Sequence, residues 1–174
     1  MIRTERLLLR RAVPGDLDAF HEIMTDARVM RYWSRPPHTA VDETRRFLAH
    51  MMQCNAPDVD EYVVEYEGRC IGKAGCWRAP EVGYLLHPDH WGKGFAAEAL
   101  QAVIPRCFAK FADAPALTAE CDPRNRASVA LLRRLGFRHL KTVEKDFLYG
   151  ESEWCDTSYF ALPRLQPPAP DDMR

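Results

Sequence analysis

Apolar residues in this chain either alternate with polar ones or recur at helical spacing, and the two periods separate strands from helices. Residues 3–12 predict a strand, with Leu7 and Leu9 standing against Arg6, Leu8 and Arg10. Pro14-Gly15-Asp16 then opens a helix that carries Leu17, Phe20, Ile23 and Met24 on one face, Asp16 being its expected N-cap. Residues 27–37 read as irregular and end at Pro36-Pro37. A helix over 41–53 follows, striped by Phe47, Leu48, Met51 and Met52, with Thr39 expected to cap it in a Thr-x-x-Asp box. Strands over 60–67 and 70–77 meet at Glu67-Gly68, which reads as a hairpin turn.

The stretch 81–99 organises the rest. Val82, Tyr84, Leu85 and Leu86 make a short buried strand, broken by Pro88-Asp89. After Gly92-Lys93-Gly94 come strong helix formers, apolar at Ala96, Ala99, Leu100, Val103 and Ile104. Pro105 inside that pattern predicts a kink or an end to the helix. A strand over 116–121, a turn at 122–125, a helix capped by Asn125 and left through Gly136, and strands over 137–147 and 153–161 complete the order. It reads β-α-α-β-β-β-α-β-α-β-β. Residues 1–163 are read as one domain and the proline-rich end, 164–174, as a disordered tail.

A strand, a glycine-bearing turn and a helix start leave backbone N–H groups unpaired at the helix's positive end, a seat for phosphate. A P-loop is excluded, because His87 stands where its first glycine belongs and Gly94 where its Ser or Thr would follow the lysine. The dinucleotide fingerprint fails too, with Ala97 at its third glycine and no acidic residue closing a second strand at the required distance.

The 174 residues suffice for one domain with a proper core, and 47% hydrophobic with 28% charged residues is ordinary for a globular protein. A net charge of −1 argues against nucleic acid or an anionic membrane as partner. No apolar run reaches the length of a membrane span and the N-terminus lacks a signal-peptide core, so the expected location is the cytoplasm. Cys54, Cys70, Cys76, Cys107, Cys121 and Cys155 form no C-x-x-C pair and read as reduced, mostly buried thiols. His87 and His90 are kept off one helix face by Pro88, so no metal site is expected.

Trp91-Gly92-Lys93-Gly94-Phe95-Ala96 resembles the pyrophosphate loop of the GNAT superfamily of N-acetyltransferases, Gln/Arg-x-x-Gly-x-Gly/Ala. Trp91 in the first place, with Ala96-x-Glu98-Ala99 after it, resembles the RimJ/RimL-like branch. The run at 6–10, Asn125-Arg126-Ala127-Ser128 ahead of Leu135-Gly136-Phe137, and Trp154-Cys155-Asp156 extend the resemblance over about 3–162. It implies an α/β (α+β) GNAT fold, a mixed and mostly antiparallel central sheet splayed at the cofactor cleft and flanked by helices, as a monomer or homodimer. It implies acetyl-CoA as acyl donor and no metal. The pyrophosphate would lie on the N–H groups of Gly92, Lys93, Gly94, Phe95 and Ala96, with Trp91 heading the loop. The pantetheine arm would pair with the main chain of Leu85, Leu86 and His87, one amide facing the thioester oxygen.

Asn125 and Ser128 read, unaided, as an N-cap and a first-turn polar residue. The resemblance adds a pantetheine contact for Asn125 and a place near the sulfur for Ser128. Family members often carry a Tyr seven residues after that Asn to protonate the departing thiolate; here the position is Leu132. Ser128 then donates instead, or the thiolate leaves unaided, at a thiol pKa of about 8.5. Glu81 is the candidate base for the amine and reads equally as an exposed strand-end carboxylate. An α-amine (pKa ~7.7–8) needs a base less than a lysine (pKa ~10.4), a gap of roughly 3 kcal/mol. With no His–acid pair near Cys121, direct transfer to a primary amine is expected, leaning toward a protein or peptide α-amine. The alternatives are a small amine or antibiotic as acceptor, another donor such as succinyl-CoA, or a non-catalytic acyl-CoA-binding module. Tyr32, Trp33, Trp77, Tyr84 and Tyr149 are candidates to line the acceptor side, and Arg31 with Arg35 to receive an acidic acceptor.

Overall fold

The computed structural model describes residues 1–53 and 56–164. Its frame is one eight-stranded sheet in the order β1-β2-β3-β4-β5-β6-β8-β7. The strands are β1 (Ile2–Arg3), β2 (Leu8–Arg10), β3 (Asp60–Tyr66), β4 (Arg69–Arg78), β5 (Glu81–Leu86), β6 (Ala116–Cys121), β7 (Arg138–Tyr149) and β8 (Glu153–Pro163). Helices α1 (Leu17–Thr25), α2 (Ala27–Met30) and α3 (Val41–Met52) precede β3. Helix α4 (Phe95–Lys110) joins β5 to β6, and α5 (Arg126–Arg134) follows β6. All pairings are antiparallel except β5 with β6, because only a crossover helix can return the chain in parallel.

Both faces of the sheet are covered. Tyr62, Val64, Val82 and Leu86 pack under α4 with Phe95, Ala99, Leu100 and Val103. Their strand neighbours Val63 and Leu85 face the other way, onto Phe20, Ile23, Met24, Leu48 and Met51 of α1 and α3. Burial on both sides is why the central strands read as nearly unbroken apolar runs. On the α1–α3 side the buried Lys73 ammonium is paired with Glu61 and lies 5.2 Å from the Phe47 ring and 5.8 Å from the Trp33 ring.

Several expected elements differ. The strand expected over 3–12 is two short strands, because Thr4 N–H bonds the Leu7 carbonyl at 3.0 Å and folds the chain back. Asp16 does not cap α1; its carboxylate takes the Arg10 guanidinium at 2.6 Å and the Val13 N–H at 2.8 Å. Thr39 is not the cap of α3: Glu43, not Asp42, reaches back to the Thr39 and Ala40 amides. The segment read as irregular holds α2, started by Asp26 accepting from the Arg28 amide at 2.8 Å. Pro105 does not end α4; it lies on the exposed face, where the carbonyl that its missing N–H leaves without a donor is open to solvent. Asn125 caps α5 by accepting from Ser128 N–H at 3.2 Å, and Gly136 exits at φ 90°. β8 runs on to Pro163, and Arg164 binds the carbonyls of Phe108, Phe111 and Ala114. Residues 165–174 and Cys54 lie outside the described residues.

His38 is buried with Nδ1 2.9 Å from Thr44 Oγ1 and no partner at Nε2. Burial is the main cause that holds its pKa below the usual 6.5, Glu43 opposing and Arg35, His21 and Arg46 assisting. The unfolded chain therefore binds the proton more readily, so this part of the stability is complete above about pH 6.5 and is lost as pH falls below it. Urea unfolding at pH 7.5 and 5.5 should show a loss that His38→Asn, which keeps a polar atom toward Thr44, reduces.

Candidate active site

β5 pairs with β4 along its whole length, from Leu86 with Gly72 to Glu81 with Arg78, with a register shift between Cys76 and Arg78. β5 and β6 pair only where Glu81 meets Thr118, with Thr118 N–H on the Pro80 carbonyl at 3.0 Å, and then part. His87 N–H donates to the Ile71 carbonyl at 2.8 Å. Antiparallel alternation then turns the main chain of Leu85 toward β4 as well, and leaves those of Tyr84 and Leu86 facing the gap. Of the three residues expected to meet a pantetheine arm, Leu86 turns its main chain to the gap, as Tyr84 does, while the amides of Leu85 and His87 face β4. Trp91, half-exposed, donates its indole N–H to the Leu86 carbonyl at 2.7 Å, so it braces the strand end.

The gap opens beside the start of α4. Gly92 at φ 71° and Gly94 at φ 82° hold left-handed backbone that a side chain would strain, and an added Cβ at Gly92 would meet nothing within 4 Å. Phe95 is buried while Gly92, Lys93 and Gly94 are exposed, so the loop's amides stand at the surface above a fixed ring. Arg6 braces this loop. Its guanidinium lies 4.4 Å over the Phe95 ring, bonds the Lys93 carbonyl at 2.9 Å and pairs with Glu98 at 2.7 Å. Glu98 also takes Thr4 Oγ1 at 2.5 Å and Arg6 N–H at 2.8 Å. Burial raises the Glu98 carboxyl, but these donors hold it below the usual range. Sequence reasoning counted the run at 6–10 as a strand and missed the brace, which only the fold brings to Glu98.

Across the gap, Asn125 and Ser128 begin α5, and Ser128 is near the Tyr84 phenol. Tyr84, a candidate for the acceptor side, packs on the α4–α5 face with Val82 and Leu86. Leu132 is fully buried core. Cys121 has its thiol pushed up to about 11 by burial, then by Asp122, which keeps it protonated and poorly nucleophilic.

The opposite face carries carboxylates. Val82, Ala119 and Phe160 point into the α4–α5 core, so Glu81, Glu120 and Tyr159 point away from it. Partial burial, then repulsion by Glu81 and Asp146, push the Glu120 carboxyl above its usual range, though its side chain still reaches solvent. Asp146 accepts from the Tyr159 hydroxyl at 2.6 Å. Arg78 approaches Glu81 at 3.7 Å. Of the other expected acceptor-side residues, Trp33 covers Lys73, Tyr149 donates to the Met30 carbonyl at 3.1 Å, Tyr32 is exposed and Trp77 lies under Arg78. Arg31 pairs with Glu153 at 3.2 Å, and Glu153 also binds Arg124 at 2.7 Å, so Arg31 is already engaged by an acid. Among the described residues there is no cluster suited to a metal ion, and no helix is long and apolar enough to cross a membrane.

An open strand edge running into bare amides at a helix start defines a frame for an extended ligand with an anionic end. Residues 6–138 match the family described as an acetyltransferase (GNAT) domain, and the chain belongs to that family of acetyl-CoA-dependent N-acetyltransferases. A Bacillus licheniformis protein named an uncharacterized N-acetyltransferase p20 is 30% identical, covering 91% of this chain and 93% of its own. RimL, a ribosomal L7/L12 α-N-protein acetyltransferase solved with coenzyme A, superposes with a TM-score of 0.76 at 20% identity, covering 92% of this chain and 95% of that one. The Vibrio cholerae spermidine N-acetyltransferase, solved with coenzyme A and spermine, gives 0.75 at 21%, covering 91% and 95%.

Gly94→Asp should lower coenzyme A affinity by at least 100-fold in calorimetry, combining backbone strain at φ 82° with a negative charge at the anion seat.

Proposed function

We propose that this enzyme transfers acetyl from acetyl-CoA directly to a primary amine in a ternary complex, with a protein or peptide α-amine as the preferred acceptor. The parting of β5 from β6 after Glu81 and Thr118 is the observation that carries the reading. The residues fit the donor. The amides at 92–96 suit a diphosphate, with about 1 kcal/mol from the helix dipole, and Lys93 adds a charge there. The free edge of Tyr84 and Leu86 suits an amide-bearing arm, and an N–H on that edge suits the developing oxyanion. Asn125 and Ser128 stand at the start of α5, and on this reading Ser128 faces the sulfur.

The acceptor enters from the face that bears Glu81. Glu81 takes a proton from the amine, which then attacks the thioester carbon. Glu120, which sequence reasoning missed, lies beside Glu81 and favours a cation there. Those carboxylates, with Asp146, also favour a second reading in which the acceptor is a small polycationic amine such as spermidine. A panel of peptide α-amines, lysine side chains and polyamines, with detection of released thiol, tests both. The α-amine reading predicts the highest kcat/KM for a peptide N-terminus. A polyamine preferred by tenfold or more replaces it with the second reading, and release of no thiol with any amine sinks both.

Glu81→Gln should lower kcat about tenfold or more at pH 6.5, where the amine is mostly protonated, and less at pH 8.5, with acetyl-CoA affinity little changed. Equal losses at both values would remove Glu81 from this role.

A further inference from the structure

The Tyr84 hydroxyl is an unexplained polar atom. It is fully buried and has no hydrogen-bond partner. Ser128 is close enough to favour the phenolate yet makes no hydrogen bond of normal geometry with it. Other phenols are engaged: Tyr62 with Asp60, Tyr149 with the Met30 carbonyl and Tyr159 with Asp146. A buried O–H with nothing to bind is costly, and a fold retains one where a ligand completes it. Tyr84 stands on β5 beyond its last contact with β6, on the face that holds Ser128 and the α4 helix start.

We infer that the Tyr84 hydroxyl donates a hydrogen bond to the coenzyme sulfur as it leaves, on the strand side of the gap, the part that Leu132 is unable to play from α5. The inference rests on the acetyl-transfer reading. The amine nitrogen forms a bond to the thioester carbon and sheds a proton to Glu81 or solvent. The carbon–sulfur bond breaks with its electron pair on sulfur, and Tyr84 stabilises that thiolate without losing its own proton. Burial pushes the phenol up to about 12, so it remains a donor throughout the working range. A thiol ionises near pH 8.5, so outright transfer from the phenol to the thiolate is uphill. The sulfur therefore takes its proton from water afterwards.

Tyr84→Phe keeps the packing and removes the donor. Steady-state kinetics should show kcat lowered about 10- to 100-fold, the worth of a hydrogen bond to a charged atom. A readout independent of turnover is coenzyme A affinity against pH. In the parent, binding should tighten as pH rises from 6.5 to 9, because the bound thiolate is stabilised. In Tyr84→Phe that tightening should vanish while affinity at pH 6.5 stays within about twofold, and desulfo-coenzyme A should bind both proteins equally at every pH. A variant kcat within twofold of the parent, or tightening that the parent lacks or the variant keeps, overturns the inference while acetyl transfer by the parent stands. A parent that neither binds coenzyme A nor releases thiol takes down this inference and the acetyl-transfer reading together.

Discussion

A β-sheet is held by main-chain hydrogen bonds that normally leave no interior strand with an open side. Here β5 sits in the middle of eight strands and is zipped to β4 throughout, yet it meets β6 at a single position. Each buried main-chain group left without a partner costs about 1–3 kcal/mol, so a tear of this kind persists only where something satisfies it. Trp91 satisfies the Leu86 carbonyl from within the chain. The edge that remains, set between the Tyr84 phenol and the amides at the start of α4, is matched to a ligand that carries its own amides along an extended arm. The other features of the site are arranged around that tear.

Ion pairs fix the two lips. On one side, Glu98 gathers Thr4 and Arg6, and Arg6 reaches the Lys93 carbonyl, so the N-terminal turn clamps the glycine loop at 92–94. On the other, Arg124 forks onto Asp122 at 2.5 Å and binds Glu153, which also takes Arg31 of the loop after α2. Burial raises the Asp122 carboxyl, but Arg124 holds it below the usual range, so the turn carrying Asn125 keeps its shape at neutral pH. Both clamps join segments far apart in the chain, which gives the gap a width set by tertiary contacts instead of by loop conformation.

The helix-start loop, the Asn125 cap, the Gly136 exit and the order of elements from β3 onward were legible because each rests on a local signal: a glycine at positive φ, a side chain three residues from the amide it caps, or a period of two or 3.6. What was not legible depended on pairing. The alternation along β5 sends Leu85 and His87 toward β4 and Tyr84 and Leu86 toward the gap, a choice of parity that one strand alone leaves open. Asp42 and Glu43 are adjacent and both acidic, and only the path of the chain into α3 selects Glu43. Pro105 breaks a helix pattern on paper but falls on the solvent side, where its missing hydrogen bond costs little. Glu120 and Tyr84 carry no local mark at all, since what distinguishes them is a neighbour more than thirty residues away.

In the proposed mechanism, Glu81 and Tyr84 answer opposite proton demands within one site. Amine attack needs a group that takes a proton, and thiolate departure needs one that keeps a proton to offer. Placed side by side, a carboxylate and a phenol would bind one another, as Asp146 and Tyr159 do at 2.6 Å. The sheet prevents this, because alternate residues of a strand project to opposite faces: Glu81 and Glu120 lie on one, Tyr84 and Ser128 on the other. In that mechanism the two groups meet only through a reacting centre held in the plane of the sheet, and the tear between β5 and β6 is the place where that plane is open. A gap closed by continued pairing would leave both sets of side chains in position with no path between them, so the missing ladder is as much a part of the chemistry as the residues on either side.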